Sequence, residues 1–262
     1  MDLNLAGRHA LVCGASQGIG RATALELAHL GASITALARS RETLEALLRE
    51  LPKSGAQTHA FIAVDMNDHV ALKEKVEAAT HGKPVQILVN NTGGPPAGPA
   101  HTATIDEFRS AFGQHLIAAQ IVLQAVLPGM RGSGFGRIVN VISTSVKEPL
   151  ANLGVSNSVR AAMASWAKTL SGELAAAGIT VNNVLPGYTK TQRLSGLIAG
   201  TAKSAGKSEE DIARGMLAGV PAGRFGEAQE IANVIAFLCT PAAAYVNGVS
   251  IAVDGGRTRA LS

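Results

Sequence analysis

The stretch Cys13-Gly14-Ala15-Ser16-Gln17-Gly18-Ile19-Gly20 constrains this 262-residue chain more than any other. The apolar run Ala10-Leu11-Val12-Cys13 leads into it, and the helix-forming run Arg21-Ala22-Thr23-Ala24-Leu25 leads out. Strand, glycine turn and helix thus come in immediate succession. Glycine takes left-handed backbone angles and lets a ligand approach the main chain closely. The helix start then offers unpaired N–H groups and a positive dipole end to an anion. Between a strand and a helix, such a turn suits the pyrophosphate of a dinucleotide. The spacing is Gly-x3-Gly-x-Gly rather than Gly-x-Gly-x-x-Gly. Alone, it also fits a tight β-to-α turn that needs glycine only for packing.

The chain beyond the turn repeats the same plan. Strands are expected at residues 8–13, 33–38, 59–64 and 85–90, separated by helices at 18–30, 41–51 and 67–81. Strands alternating with helices at these lengths imply a parallel sheet with right-handed crossovers. Further on, a long helix is expected at 105–127, with the stripe Phe108, Phe112, Ala119, Val122 and Val126. Then come a strand at 137–142, a helix at 152–176 and a strand at 180–185. Residues 189–222 are polar and rich in small side chains, with a helix from Glu209, and read as a mobile substrate lid. A helix at 229–239 and a strand at 248–253 close the chain. The expected fold is α/β: one domain built on a doubly wound, parallel, seven-stranded sheet (Rossmann fold).

Composition narrows the function. Apolar residues make up 47% and charged residues 16%, enough to bury both faces of a sheet. Aromatics are 3%, too few for stacking single-stranded nucleic acid. The net charge of +4 comes without a long Lys/Arg run, so a nucleic-acid partner is not expected. An acidic ligand, or merely solvated lysines and arginines, accounts for it. Two cysteines, Cys13 and Cys239, suffice for neither a disulfide framework nor a thiolate metal site. Apolar stretches such as 138–142 are too short to span a bilayer. The reading is a cytoplasmic chain with no metal and no membrane partner.

The second expected strand ends Leu37-Ala38-Arg39-Ser40-Arg41. In dinucleotide-binding folds an acidic residue here meets a ribose 2′-hydroxyl, whereas arginine accommodates a 2′-phosphate. Arg39 and Arg41 therefore favour NADP(H) over NAD(H), unless they only open the next helix. Asp65, at the next strand end, suits an adenine amino group or an N-cap for the helix after it.

Six motifs then occur in order. They are Gly14-x3-Gly18-x-Gly20, Asn90-Asn91-Thr92-Gly93, the run Arg137 to Ser143, Asn182-x3-Pro186-Gly187-x3-Thr191, Gly223-Arg224-Phe225-Gly226-Glu227, and Val253-Asp254-Gly255-Gly256. Along almost its whole length the chain resembles the short-chain dehydrogenase/reductase family, in the manner of 3-oxoacyl-(acyl carrier protein) reductases. The resemblance implies that the turn, with Ser16, Gln17 and Ile19, cradles the pyrophosphate between Gly14, Gly18 and Gly20. It implies that Asp65 and Met66 hold the adenine, and that Asn91, Thr92 and Gly93 line the adenosine ribose. Pro186, Gly187, Thr189 and Thr191 would place the nicotinamide. A homotetramer or homodimer is implied, as is a small-molecule or carrier-thioester substrate. Lys190, Arg193, Lys203 and Lys207 are candidates to attract a carrier's phosphates, or are solvated surface charges.

The family's catalytic residues do not carry over. The serine matches as Ser143, but the tyrosine position is Ser156, the lysine position Arg160 and the asparagine position His115. A serine hydroxyl is a far weaker acid than a phenol, and arginine stays charged and cannot relay a proton. Arg160 retains the capacity to bind nicotinamide-ribose hydroxyls. Losing a positioned general acid costs roughly 10²- to 10⁴-fold in rate. Two other groups are candidates. His115 has a suitable ordinary pKa, near 6.5, and otherwise is a core histidine on the inward stripe. Tyr188 comes directly after Pro186-Gly187, and otherwise packs the lid. Two functions are open: an NADP(H)-dependent oxidoreductase with altered acid–base residues acting on a carbonyl or alcohol, or a catalytically inactive dinucleotide-binding protein.

Overall fold

The computed structural model describes residues 1–261. Its strands are β1 (His9–Cys13), β2 (Ser33–Ala38), β3 (His59–Ala63), β4 (Ile87–Asn90), β5 (Gly136–Val141), β6 (Ile179–Pro186) and β7 (Ser250–Val253). All pair in parallel, in the order β3-β2-β1-β4-β5-β6-β7. The order reverses direction between β1 and β4. In open α/β sheets, ligands bind beyond the carboxyl ends of the strands at such a switch point.

Alternation along the strands sorts two cores. Ala10 and Val12 of β1 join one cluster with Ala24 and Leu27 of α1 (Gly18–His29) and Ile231 and Ile235 of a helix at Ala228–Cys239. Leu11 and Cys13 face the other way, toward Leu72 and Val76 of α3 (His69–Thr80) and Val122 and Val126 beyond it. Helix α2 (Arg41–Glu50) covers the outer strands through buried Leu44 and Leu47. Asp68, not Asp65, caps α3, its side chain accepting from the Ala71 N–H at 3.1 Å.

The long helix expected at 105–127 is three pieces and ends later. A capping box of Thr104 and Glu107 starts α4 (Ile105–Phe112). One π turn, Gly113–Ile117, comes next, and α5 (Ala118–Ser133) runs on through Pro128 to left-handed Gly134. The continuous 29-residue stretch Ile105–Ser133 is long enough to span a membrane and contains a window with a mean hydropathy of 1.3. Apolar stretches thus reach further than the short run 138–142 suggests. Ala118, Ala119, Val122, Leu123, Val126 and Met130 are nevertheless buried within the fold.

Helix α6 (Gly154–Leu174) comes after β5. The expected lid holds two helices rather than one. Thr191 caps α7 (Gln192–Ala205), left-handed Gly206 ends it, and Ser208 caps α8 (Glu209–Leu217). The helix at Ala228–Cys239 is α9. Strand β7 begins two residues later than expected, because Gly248 takes a φ of +72°.

Side chains tie the second half of the sheet together. Asn90, Asn140, Asn183 and Ser250 stand opposite one another across β4 to β7. Asn90 Nδ2 donates to Asn140 Oδ1 (2.9 Å), Asn140 Nδ2 to Asn183 Oδ1 (3.0 Å), and Asn183 Nδ2 to Ser250 Oγ (3.0 Å).

Candidate active site and dinucleotide cleft

The turn after β1 is built so that only glycine fits. Gly14 and Gly18 have φ of +60° and +55°, and a Cβ on Gly20 would lie 2.2 Å from the Gly14 carbonyl oxygen. Asn91, from the end of β4, clips the turn by donating to the Gly14 carbonyl at 3.2 Å. Its side chain therefore shapes the turn from behind. Cys13 is fully buried and its thiol is pushed up to about 12, so it is a packing residue without reactivity.

A single cleft of about 610 Å³ opens at the switch point. Gly14, Ser16, Gln17, Gly18 and Ile19 line it at the turn; Gly20 lies buried behind them. Arg39, Asp65 and Met66 form one end, and Asn91, Thr92 and Gly93 the middle. Ser143, Ser156, Arg160, Pro186, Gly187, Tyr188, Thr189 and Thr191 form the other end. The structure brings these residues into one space although they come from six strand ends and from α6. A dinucleotide fits this geometry: the N-terminus of α1 opens onto the cleft, and a Cβ on Gly93 would meet no protein atom within 4 Å and would stand in open space.

At the β2–β3 end, Arg39 is exposed and has no ion-pair partner among the described residues. Arg41 turns away instead, lying over the Phe61 ring at 5.0 Å and pairing with Glu45. Asp65 accepts from the Asn67 N–H at 2.9 Å, leaving its second oxygen for a ligand.

At the other end Ser143 begins a short 3-10 turn, its oxygen accepting from the Ser145 N–H at 3.1 Å. Ser156 and Arg160, four apart on α6, share one face and are both 8% exposed. Arg160 donates to the Val141 carbonyl at 2.8 Å, while its Nε has no partner among the described residues. Burial, with the charge of Arg193 second, holds its pKa down to about 10, so it stays a cation.

The two candidate proton donors lie in different places. His115 sits in the π turn, 3% exposed, its Nδ1 bonded to Thr92 Oγ1 at 2.5 Å. It lines a separate cavity of about 10 Å³ with Asn90, Arg160 and Met163, behind the cleft. Burial and then the Arg160 charge push its pKa down to about 2, so the ring is neutral at physiological pH. Tyr188 lines the cleft itself, edge-on to Phe225 and beneath the Arg257 guanidinium at 4.6 Å. The remaining tyrosine, Tyr245, is fully exposed.

Sequence reasoning missed several lining residues. Gln114 and Arg257 carry no motif, and Leu150, Leu153, Leu194 and Leu197 read only as apolar positions. The wall they form depends on loop 93–99 joining α6. Gly98 N–H donates to Asn152 O at 2.7 Å, and Gly154 N–H returns to Gly98 O at 3.0 Å. No periodicity encodes that contact. No group of three metal-ligating side chains exists among the described residues.

Comparison with known proteins agrees with this architecture. The sequence profile described as Enoyl-(Acyl carrier protein) reductase matches residues 14–258. The NADPH-dependent reductase BacG of Bacillus subtilis (strain 168) is 31% identical over 97% of this chain and 99% of its own. The 3-oxoacyl-[acyl-carrier-protein] reductase FabG of Escherichia coli (strain K12) is 34% identical over 97% and 98%. The solved L-sorbose reductase of Gluconobacter frateurii, in complex with NADPH and L-sorbose, is 29% identical over the whole of both chains, with a TM-score of 0.92. Sequence, topology and cleft agree: this chain is an oxidoreductase of the short-chain dehydrogenase/reductase family.

Proposed function

We propose that this protein is an NADP(H)-dependent reductase of a carbonyl compound in which Tyr188 takes the place of the missing family tyrosine as proton donor. The observation that carries the reading is one cleft with a free arginine, Arg39, at one end and Ser143, Ser156 and Tyr188 at the other. The names of similar proteins support the choice of cofactor, since BacG is an NADPH-dependent reductase and the sorbose reductase was solved with NADPH.

Bound reduced nicotinamide supplies the hydride. Gly14 and Gly18 hold the pyrophosphate, Arg39 the 2′-phosphate, and Arg160 the nicotinamide-ribose hydroxyls. Ser143 and Ser156 donate hydrogen bonds to the substrate oxygen, placing its carbon for attack. With the carbonyl reduced in this way, the Tyr188 phenol would give its proton to the oxygen and solvent would replenish it. Carbonyl, NADPH and one proton thus give alcohol and NADP⁺. His115 does not serve as acid, being neutral and outside the cleft; it orients the Thr92 hydroxyl. Helices α7 and α8 act as the lid over residues 189–222. We place the protein in the cytoplasm, as a homotetramer joined through α4–α5, α6 and the edge strand β7. Its mass in solution, against 26.8 kDa for one chain, checks the assembly.

The test is NADPH oxidation across ketone, aldehyde, quinone and acyl-thioester panels, with Tyr188→Phe beside the wild type. The phenylalanine variant is expected to lose roughly 10²-fold or more in kcat while keeping its NADPH affinity. Unchanged kcat in that variant rules Tyr188 out. A second reading rests on Ser156 and Arg160 standing where tyrosine and lysine belong: tight NADPH binding with no turnover of any panel member makes the protein a dinucleotide-binding module.

A further inference from the structure

The charges lining the cleft are unbalanced. Arg39, Arg160, Arg193 and Arg257 face it, against one carboxylate, Asp65. None of these arginines has an ion-pair partner among the described residues, although eight pairs form elsewhere on the chain. Unpaired guanidinium groups facing a cleft keep their charged donors free, and so mark places where an anion can be received. A dinucleotide phosphate accounts for Arg39, and ribose hydroxyls for Arg160. Arg193 bridges the lid to the loop after β4, donating to the Pro95 carbonyl at 2.8 Å.

Arg257 is left, and it sits at the reacting end. It comes directly after the glycine pair 255–256, so backbone freedom there brings the tail back over the sheet. Its guanidinium lies over Tyr188, and its Nη1 is 3.5 Å from the hydroxyl of Thr144, the residue after Ser143. That one long contact leaves most of its donors unused. Opposite, Leu150, Leu153, Leu194 and Leu197 give the same end an apolar wall.

Resting on the reductase reading, we infer that the substrate is a small oxo acid, its carboxylate held by Arg257 and its hydrocarbon body against the four leucines. A carboxylate on Arg257 places the carbonyl a few bonds away, beside Ser143 and Tyr188. A carrier thioester fits this end less well. Lys190 is already paired with Glu227, at 2.5 Å, and Lys203 and Lys207 are exposed on the lid.

The experiment compares each acid with its methyl ester, levulinate and acetoacetate being the probes. Binding is measured calorimetrically on the NADP⁺-saturated protein and on the protein without cofactor. The acids are expected to bind roughly ten- to hundredfold more tightly than their esters, the range of a charged hydrogen bond. Arg257→Gln should bring that ratio close to one with NADP⁺ affinity unchanged, and Arg257→Lys should keep part of it. Equal binding of acid and ester, no binding of either acid, or a ratio that survives Arg257→Gln overturns the assignment. Absence of NADP⁺ binding overturns the reductase reading instead, and the acid-to-ester ratio without cofactor still decides the role of Arg257.

Discussion

The proposed choice of cofactor falls to a single side chain, Arg39. It is exposed at the end of β2 with no acid paired to it. Arg39→Glu is expected to weaken NADPH binding by roughly ten- to hundredfold, the scale of a lost charge-assisted contact, and to leave NADH binding within a few-fold; fluorescence titration with the two cofactors checks it. Ser156 and Arg160 stand where the family resemblance expects tyrosine and lysine. Both face the cleft, so a phenol at 156 has open space ahead of it. Placed in a chain that also carries Tyr188→Phe, the double variant Ser156→Tyr/Arg160→Lys is expected to recover about 10²-fold in kcat in the NADPH oxidation assay, the contribution of a positioned acid. A fall in kcat would mean that the present pair serves a different proton path.

Elements show where sequence reading worked and where it stopped. Strand–helix alternation, the glycine turn and the strand-end motifs are local, so the sheet was legible, and the motif residues do line one cleft. The extra length of α5 was not, because Pro128 is an ordinary stop signal and tertiary packing overrides it. Helix α7 was hidden by its glycine and serine content, which lowers propensity, and it stands on the Thr191 cap and buried Leu194 and Ala202. The substrate half of the cleft was illegible because Arg257 and the leucines meet only after folding. The asparagine row across β4 to β7 belongs to the same class. Asn140 lies in its middle, fully buried. Asn140→Ala would strand a donor on Asn90 and an acceptor on Asn183, and is expected to cost about 2–5 kcal/mol, at roughly 1–3 kcal/mol for each buried unpaired group. Urea denaturation measures it, with an unchanged m-value if the native sheet persists.

The folded molecule keeps the buried His115 neutral, and this shapes its response to acid. Burial lowers His115 to about 2 and lowers His9 as well. His115 takes up a proton near pH 6.5 in the unfolded chain, but not in the native state. Stability from these groups is therefore full above the unfolded pKa and falls as pH drops below it. At pH 5.5, one unit below, His115 alone accounts for about 1 kcal/mol of lost stability. His115→Asn, which keeps a partner for Thr92, should flatten the fall in Tm between pH 7 and pH 5; an unchanged slope would mean that the ring is protonated in the native state.

The row of amides across β4 to β7 has a kinetic meaning too. Each strand arrives later in synthesis than the one beside it, and every junction in the row closes only when the new strand stands at the right residue. A slip by one position would turn the incoming side chain to the opposite face and leave its neighbour's amide bare. The row therefore works as a vernier, checking alignment strand by strand until Ser250 completes it. Half of the sheet is thereby joined, and its amide protons are expected to exchange as one unit when followed by native-state hydrogen exchange.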